Sequence, residues 1–234
     1  LLALTLLYTI WVPQGDLAYP AILGIVAILI ASTTMRNSAI STLLLQALML
    51  AGAMLIPSER PGSAVGGMRV LVLLAISGPL LLVGIWATES SAAQLERLPL
   101  LQTGIIALAL GYSIALGVAP FHVWLPTIYE HGRVLAAVLL NAVLPAALLL
   151  HMASLALAAP WLASQPVVLG LMLAGGMISV IGGSLLALAQ RTVSRTLGYV
   201  AMADLGIVLL GLGLGSPVGV RAALVHLGYR GVAL

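Results

Sequence analysis

The sequence predicts an all-α protein, a polytopic bundle of transmembrane helices that contains one proline-broken helix. Hydrophobic residues make up 62% of the chain and charged residues 6%, with a mean hydropathy of +1.21. A soluble domain carries roughly 25% charged residues because water must solvate its surface. The few charges here cannot cover a water-facing surface, so most of the surface must face lipid or other membrane subunits. The break is predicted by Pro120 and Pro126, which bracket a short segment between two apolar runs.

Long apolar runs separated by Pro, Gly or charged residues mark the helices. We predict one transmembrane domain over residues 1–234 with about nine helices, and we expect further helices beyond both ends of the chain. Thr88 to Pro99 is the most polar stretch and is expected to form a short surface helix, whereas Gln190 to Arg195 is a compact basic connector. The predicted helices are 1–12, 18–32, 39–56, 69–88, 101–118, 134–158, 167–189, 196–214 and 220–234.

All basic side chains are arginines, and the chain has neither Lys nor Cys. The absence of Cys excludes disulfides and thiolate-bound metal or iron–sulfur sites. The arginines are scattered through short hydrophilic gaps, which fits membrane topology and argues against nucleic acid as a partner. Zinc, phosphate-loop and dinucleotide motifs do not occur, so we expect no cofactor, no metal and no catalytic residue in this chain.

Arginine placement also gives an orientation. Alternate connectors place five arginines on one side of the membrane and three on the other, and positive charge favours the cytoplasmic side. We therefore expect the larger set on the cytoplasmic side. The larger set is Arg60, Arg69, Arg133, Arg191 and Arg195, and the smaller set is Arg36, Arg97 and Arg221.

The segment from Gly117 to Pro126 reads GVAPFHVWLP. A proline removes a backbone donor and disfavours helix at the residue before it, so Ala119 and Leu125 should be extended. Such backbone is tolerated at membrane depth only where protein or a water-filled cavity shields it. His122 could relay protons there. The alternative is that His122 and Trp124 merely anchor the chain at the membrane interface.

Ionisable groups inside a membrane are costly, so each is a functional candidate. Asp204 lies near the middle of the 196–214 run, and its alternative role is a hydrogen bond to a neighbouring helix. His226 and Arg230 are spaced i, i+4 and share one helix face, which implies a polar inner surface. His151 is expected near an interface, and Asn141 is expected to make a structural hydrogen bond.

Three segments together resemble the antiporter-like membrane subunits of respiratory complex I, of multisubunit cation/proton antiporters and of membrane-bound hydrogenases. GVAPFHVWLPTIYEHG, residues 117–132, is similar to that family's broken-helix signature, and its Tyr129-Glu130 pair is most like the quinone-proximal subunit 2 type. LLALAQRTVSRTLGYVAMADLGIVLLGL, residues 185–212, and AALVHLGYRGVAL, residues 222–234, resemble two later family motifs.

The resemblance implies proton translocation along buried Glu and Lys residues, but the expected groups are missing. No carboxylate lies inside the 69–88 run, and Glu89 stands at its end. Arginine stays protonated, so Arg195 and Arg230 would serve as fixed charges, whereas a buried Lys can titrate. The positions that correspond to the family's other titratable groups are Ala115, Leu144 or Pro145, Ser194, Arg230 and Leu234.

Three hypotheses follow. The preferred one is a degenerate antiporter-like subunit that acts mainly as a scaffold in a complex I-like assembly. The second is an active proton-conducting subunit that uses His122, Asp204 and His226. The third is an unrelated small-solute transporter. The proton-path candidates are His122, Glu130, His151, Asp204 and His226.

The resemblance also implies partners and a location. At most the chain is a non-redox membrane subunit of an NADH:quinone oxidoreductase-like complex. Other integral membrane subunits and lipid are the expected partners, and any quinone would bind in a neighbouring subunit. The expected location is a bacterial plasma membrane.

Overall fold

The structure is a computed structural model that describes residues 18–35, 37–56, 62–92, 98–133, 136–137 and 139–233. Every regular element in these ranges is a helix, which confirms the predicted all-α fold. The predicted helix 1–12, together with Arg36, Arg60, Arg97 and Leu234, lies outside the described residues. The α-helices are α1 Ala18–Thr34, α2 Ser38–Met54, α3 Ser63–Ala92, α4 Leu98–Leu116, α5 Trp124–His131, α6 Leu144–Ala158, α7 Pro160–Ala163, α8 Pro166–Leu188, α9 Val193–Gly213 and α10 Pro217–Ala233.

Five helical spans in the described part of the chain are long and apolar enough to cross a membrane. Four of them lie in α3, α4, α8 and α9, and the fifth is Leu140–Ala158, which includes α6 and the residues just before it; each has 18 to 29 residues. The apolar parts of α1 and α2 are shorter, at 10 to 17 residues. A bilayer core of about 30 Å needs about 20 helical residues, so these lengths fit the predicted polytopic membrane protein.

Helix α3 is longer than predicted, because the first part of the stretch from Thr88 to Pro99 continues it to Ala92. The prediction of a separate surface helix is therefore wrong for residues 88–92, which belong to α3. Their polar side chains do not end the helix, because they bond to its own carbonyls. Thr88 donates to Gly84 at 2.9 Å and Ser91 donates to Ala87 at 2.6 Å, and both are buried.

Helices α4 and α5 together run antiparallel to α3. Gly111 packs against Leu81 near the end of α4, and Gly66, near the start of α3, packs against His131 at the end of α5. Between α4 and α5 the chain leaves helical geometry at Gly117, which has φ +69°. The predicted broken helix is thus present.

One detail of this prediction is wrong. Ala119 is non-helical as expected, but Leu125 lies inside α5, because Pro126 falls in the first turn of that helix. A proline is tolerated there, since the first N–H groups of a helix have no intrahelical acceptor.

Helices α8 and α9 form a tightly packed antiparallel hairpin. Gly176 packs against Gly206 and Leu210, and Gly183 packs against Tyr199 and Ala203. Helix α9 begins at Val193, so the predicted basic connector is shorter than expected, and Arg195 belongs to the same helix as Asp204. The connector is short because residues from Val193 onward already make helical bonds, as in the 3.0 Å bond from Thr196 N–H to the Thr192 carbonyl.

The predicted 134–158 helix changes its geometry partway. A π-helix at Leu139–Val143 precedes α6, which has Pro145 in its first turn. The wider turn changes the direction of the Asn141 side chain relative to that of His151, compared with uniform α-helical spacing. A short helix, α7, then leads to α8.

Candidate functional site

The broken segment lies against the middle of the α8–α9 hairpin. The Ala119 N–H donates to Ser179 Oγ at 3.2 Å, and Ser179 lies near the middle of α8. Because α8 is long enough to span a membrane, the break lies at mid-span. Protein buries the start of this irregular backbone at Gly117 and Val118, whereas Pro120 and Val123 are exposed, so the shielding expected at this depth is partial.

The alternative role for Trp124 as an interface anchor is wrong. Trp124 is 1% exposed, and its Nε1 donates to the Ile114 carbonyl at 2.9 Å, which joins the start of α5 to the last turn of α4. His122 packs against Tyr199 of α9, with ring centroids 5.8 Å apart. The structure places His122 beside the α8–α9 hairpin, and no hydrogen bond joins it to Asp204 or His226.

Helices α9 and α10 bring three predicted candidates together. His226 Nε2 lies 2.6 Å from Asp204 Oδ1, and Arg230 NH1 donates to Asp204 Oδ2 at 2.6 Å. The i, i+4 spacing of His226 and Arg230 puts both on the face of α10 that meets α9. The predicted polar inner surface is therefore present. The Arg230 side chain is 1% exposed, whereas Asp204 and His226 keep 26% and 28% of theirs exposed.

Asn141 and Tyr129 extend this group across the bundle. The Arg230 guanidinium donates to the Asn141 backbone carbonyl and to its side-chain oxygen, and the Asn141 amide nitrogen donates to the Tyr129 hydroxyl. Asn141 is fully buried, and its expected structural hydrogen bond is confirmed. We call Tyr129, Asn141, Asp204, His226 and Arg230 the central polar cluster.

Glu130 faces another part of the bundle. Its Oε2 accepts a hydrogen bond from Arg195 Nε at 2.8 Å and lies 3.7 Å from His131 Nε2. About half of the Arg195 side chain is exposed, so this ion pair is screened by solvent and contributes little to stability. Arg195 and Arg230 both pair with a carboxylate, but only Arg230 is buried.

His151 forms a separate buried group with α2 and α4. Its Nε2 lies 3.0 Å from Thr42 Oγ1, and its Nδ1 lies 2.6 Å from the Tyr112 hydroxyl. His151 is 5% exposed and lies between α2, α4 and α6. The two polar partners explain why a histidine can be buried among apolar helices.

These contacts define what the cluster can do chemically. Asp204 offers one oxygen to a guanidinium that keeps its proton and the other to an imidazole that can exchange one. The described residues contain no group of three or more His, Cys, Asp or Glu side chains arranged to hold a metal ion. The cluster is therefore suited to charge compensation and to binding a single proton.

The structure also shows what occupies the positions of the missing lysines. Ala115 and Leu144 are buried in the apolar core, at 0% and 2% exposed. Glu89 in the last turn of α3 is exposed, so it does not supply a buried carboxylate. Tyr112 and Thr42 were not predicted from the sequence; their only signal was a polar group within an apolar run.

Comparison with known proteins identifies similar chains. NAD(P)H-quinone oxidoreductase subunit 5, chloroplastic, from Nuphar advena is 39% identical over 108 residues, which is 46% of this chain and 14% of that relative. The Lemna minor protein of the same name gives the same identity and coverage. The matched region thus spans about a seventh of these relatives, and because they are subunit 5 proteins, the predicted likeness to subunit 2 is not confirmed.

Two solved structures share the fold. A chain of respiratory complex I from Thermus thermophilus gives a TM-score of 0.73 at 22% identity, and covers 92% of this chain and 49% of that chain. A chain of the membrane-bound sulfane sulfur reductase, an archaeal respiratory membrane complex, gives 0.70 at 20% identity, with 87% and 45% covered.

The family match extends over most of the described helices. Residues 42–232 match the family described as NADH:quinone oxidoreductase/Mrp antiporter, TM. This range includes the broken segment, the α8–α9 hairpin and the whole central polar cluster. The family match excludes the hypothesis that the chain is an unrelated solute transporter. The chain is an integral membrane protein that belongs to the NADH:quinone oxidoreductase/Mrp antiporter family.

Proposed function

We propose that this chain is part of an antiporter-like membrane subunit of a complex I-like assembly, in which it acts mainly as a helical scaffold. The observation that carries the proposal is the separation of the titratable groups. His151 is bonded to Thr42 and Tyr112, and His122 packs on Tyr199, whereas Asp204 and His226 bond to each other. A path across the membrane would need these groups to exchange protons with one another.

The central polar cluster supports the same role. Arg230 is buried and compensates Asp204, and together they connect α9, α10 and the π-helix. A buried ion pair that bonds three elements fixes their relative positions. Ala115 and Leu144 add apolar core where the family resemblance implies lysines.

Proton conduction through the cluster is the second candidate, and one observation favours it. Asp204 and His226 lie 2.6 Å apart, and both side chains are about one quarter exposed. An imidazole beside a carboxylate can take up and release a proton near neutral pH. On this alternative, His226 would exchange protons with water that reaches the outer side of the cluster.

The test measures proton translocation per turnover in membranes that contain the assembled complex. His226→Gln is the main variant, because it removes the titratable ring and leaves the Asp204–Arg230 pair intact. We expect unchanged translocation per assembled complex. A strong loss of translocation at normal assembly, judged on native gels, would contradict the scaffold role and support conduction.

Asp204→Asn tests the structural part of the proposal. It leaves the buried guanidinium of Arg230 without its counter-charge, which is strongly destabilising for a buried pair. We expect fewer assembled complexes, with normal translocation in those that form. Full assembly of this variant would argue against a scaffolding ion pair.

The expected partners are other integral membrane subunits, since both solved relatives are chains of respiratory membrane complexes. Lipid would cover the exposed apolar faces, and any quinone would bind in a neighbouring subunit. We propose a bacterial plasma membrane as the location, although the curated relatives named above are chloroplastic. Fractionation of native membranes tests the location, and copurification identifies the partner subunits.

A further inference from the structure

Helix α4 ends through contacts of its own residues. Gly117 has φ +69°, and its N–H donates to the Ile114 carbonyl at 3.2 Å. The Val118 N–H donates to the Ser113 carbonyl at 2.9 Å. This pattern is a Schellman motif, in which a left-handed glycine closes the last turn of a helix. Because these residues are close neighbours in the sequence, the end of α4 is specified locally.

The chain beyond this motif has less local support. Pro120 has no N–H to donate, and Val123, which precedes α5, makes no side-chain hydrogen bond that caps this helix. Trp124 Nε1 donates to the Ile114 carbonyl and so joins the start of α5 to the end of α4. A bond between these two helices cannot fix the position of the broken segment against the rest of the bundle.

Helix α8 supplies the missing contact. Ser179 is 1% exposed, and its Oγ accepts from the Ala119 N–H at 3.2 Å. Among the described residues outside α4 and α5, only Ser179 bonds the backbone of residues 117–123 through its side chain. Gly175 lies one turn earlier on the same face, where an added methyl group would lie 3.2 Å from Val118 Cγ1. We call Gly175 and Ser179 the α8 notch.

We infer that Ser179 is a positioning residue for the broken segment and, through this segment, for His122. Its hydroxyl oxygen holds Ala119 against the middle of α8, just before the residue that packs on Tyr199 of α9. The break and its position thus have separate causes. Helix α4 contains the signal to end, whereas the α8 notch determines where the segment lies. This role would be the same whether the chain conducts protons or acts as a scaffold.

The alternative is that Ser179 is merely a tolerated polar residue of α8. Serine hydroxyls in helices can bond the carbonyl of their own preceding turn, as Ser91 does in α3. A serine of that kind can be replaced by alanine without moving a neighbouring segment. The two explanations therefore differ in what Ser179→Ala does to the contact between the broken segment and α8.

Disulfide formation between the segment and α8 measures this contact. The chain has no cysteine, so a Val118→Cys, Gly175→Cys protein can form only one intramolecular disulfide. The two positions are close enough for that bond. The oxidation rate is measured on the purified full chain with and without Ser179→Ala. Ser179→Ala should slow oxidation several-fold, up to the factor of about ten that one hydrogen bond contributes to a population. An unchanged rate would overturn the inference.

Two controls separate a displaced segment from a loosened fold. Ala87→Cys with Gly104→Cys joins α3 to α4, where the two β-carbons would lie 3.0 Å apart, and Ser179→Ala should not change its oxidation rate. Ser184→Ala removes an exposed hydroxyl from the same helix and should leave the rate of the first pair unchanged. Equal slowing of both cysteine pairs, or equal slowing by both serine variants, would contradict a positioning role for Ser179.

Folding failure of Ser179→Ala would also give an answer. Ser179→Ala should then refold when the disulfide between positions 118 and 175 is formed first, because this bond holds the segment in the α8 notch in place of the hydrogen bond. SDS refolding of the oxidised and the reduced protein measures the rescue. A variant that stays unfolded with the disulfide intact would overturn the inference, since Ser179 would then serve another purpose in the fold.

Discussion

At the scale of single residues, Asp204 contacts two basic side chains of different chemistry. A guanidinium keeps its proton at physiological pH, whereas an imidazole is a group that can exchange one. Asp204 Oδ2 accepts from Arg230 and Asp204 Oδ1 lies against His226. The cluster therefore combines a buried arginine–carboxylate pair with an imidazole that contacts the same carboxylate. A lysine at position 230 would instead have offered an amine, which can titrate when it is buried.

The contacts of His151 fix its tautomer. Thr42 Oγ1 donates to the Ser38 carbonyl at 2.8 Å, so its oxygen must accept from His151 Nε2–H. His151 Nδ1 is then the acceptor, and the Tyr112 hydroxyl donates to it. The ring is neutral in this arrangement, and both nitrogens are occupied. His151 is therefore a structural connection between α2, α4 and α6.

Tyr112→Phe should test this arrangement. The change leaves the buried His151 Nδ1 without a donor, which costs roughly 1–3 kcal/mol of unfolding free energy. SDS unfolding of the purified chain measures the loss. Tyr229→Phe is the control, because Tyr229 is 69% exposed and its hydroxyl can find a partner in water or lipid headgroups. Equal effects of the two variants would mean that the Tyr112 hydroxyl bond does not stabilise the fold.

The sequence predicted the candidates of the central polar cluster better than their partners. His226 and Arg230 share a face through local spacing, and Asp204 is conspicuous as a charge inside an apolar run. Asn141 lies 89 residues from Arg230, and Thr42 lies 109 residues from His151. Contacts of such long range depend on how helices pack, and helical periodicity carries no information about that.

At the scale of helices, close approach of α8 and α9 depends on glycine at particular faces. A methyl group at Gly183 would lie 2.8 Å from the backbone of both Tyr199 and Ala203. A methyl group at the adjacent Gly182 would meet only the flexible end of Met202, at 3.8 Å. Small residues let membrane helices approach through backbone contact, and here only one of the neighbouring glycines has that role.

Gly183→Ala should therefore destabilise the chain by roughly 1–3 kcal/mol, because backbone atoms of α9 would have to move. Gly182→Ala should be neutral or stabilise by up to about 1 kcal/mol, since alanine favours helix over glycine. Both values come from SDS unfolding curves of the purified variants. If Gly182→Ala were the more harmful change, the packed face of α8 would be misassigned.

The helix boundaries differ from the predictions for physical reasons. Pro120 and Pro126 carry the same pattern in the sequence, yet only the segment around Pro120 leaves helical geometry. Pro126 is accommodated because it lies in the first turn of α5. Thr88 and Ser91 looked like a polar boundary, but their hydroxyls bond within α3. Polarity alone therefore does not end a helix when the side chain can bond its own backbone.

At the scale of the whole molecule, the structure brings several basic segments to one end of the bundle. Gly62 and Gly66 at the start of α3 pack against His131 at the end of α5. Glu130 in the same helix pairs with Arg195 at the start of α9. This end also carries Arg133 and Arg191, which follow and precede those helices. The connection between α9 and α10 lies at the opposite end of α9.

This arrangement predicts that the α8–α9 connection is cytoplasmic, since positive charge favours that side. The chain has no cysteine, so in a single-cysteine variant the introduced residue is the only thiol of this chain that a maleimide can label. Thr192→Cys replaces an exposed side chain at that connection, and Ser216→Cys lies between α9 and α10. A membrane-impermeant maleimide should label the Thr192→Cys variant only in inverted vesicles and the Ser216→Cys variant only in intact cells. Labelling of both from one side would contradict a spanning α9, and the reverse pattern would contradict the charge argument.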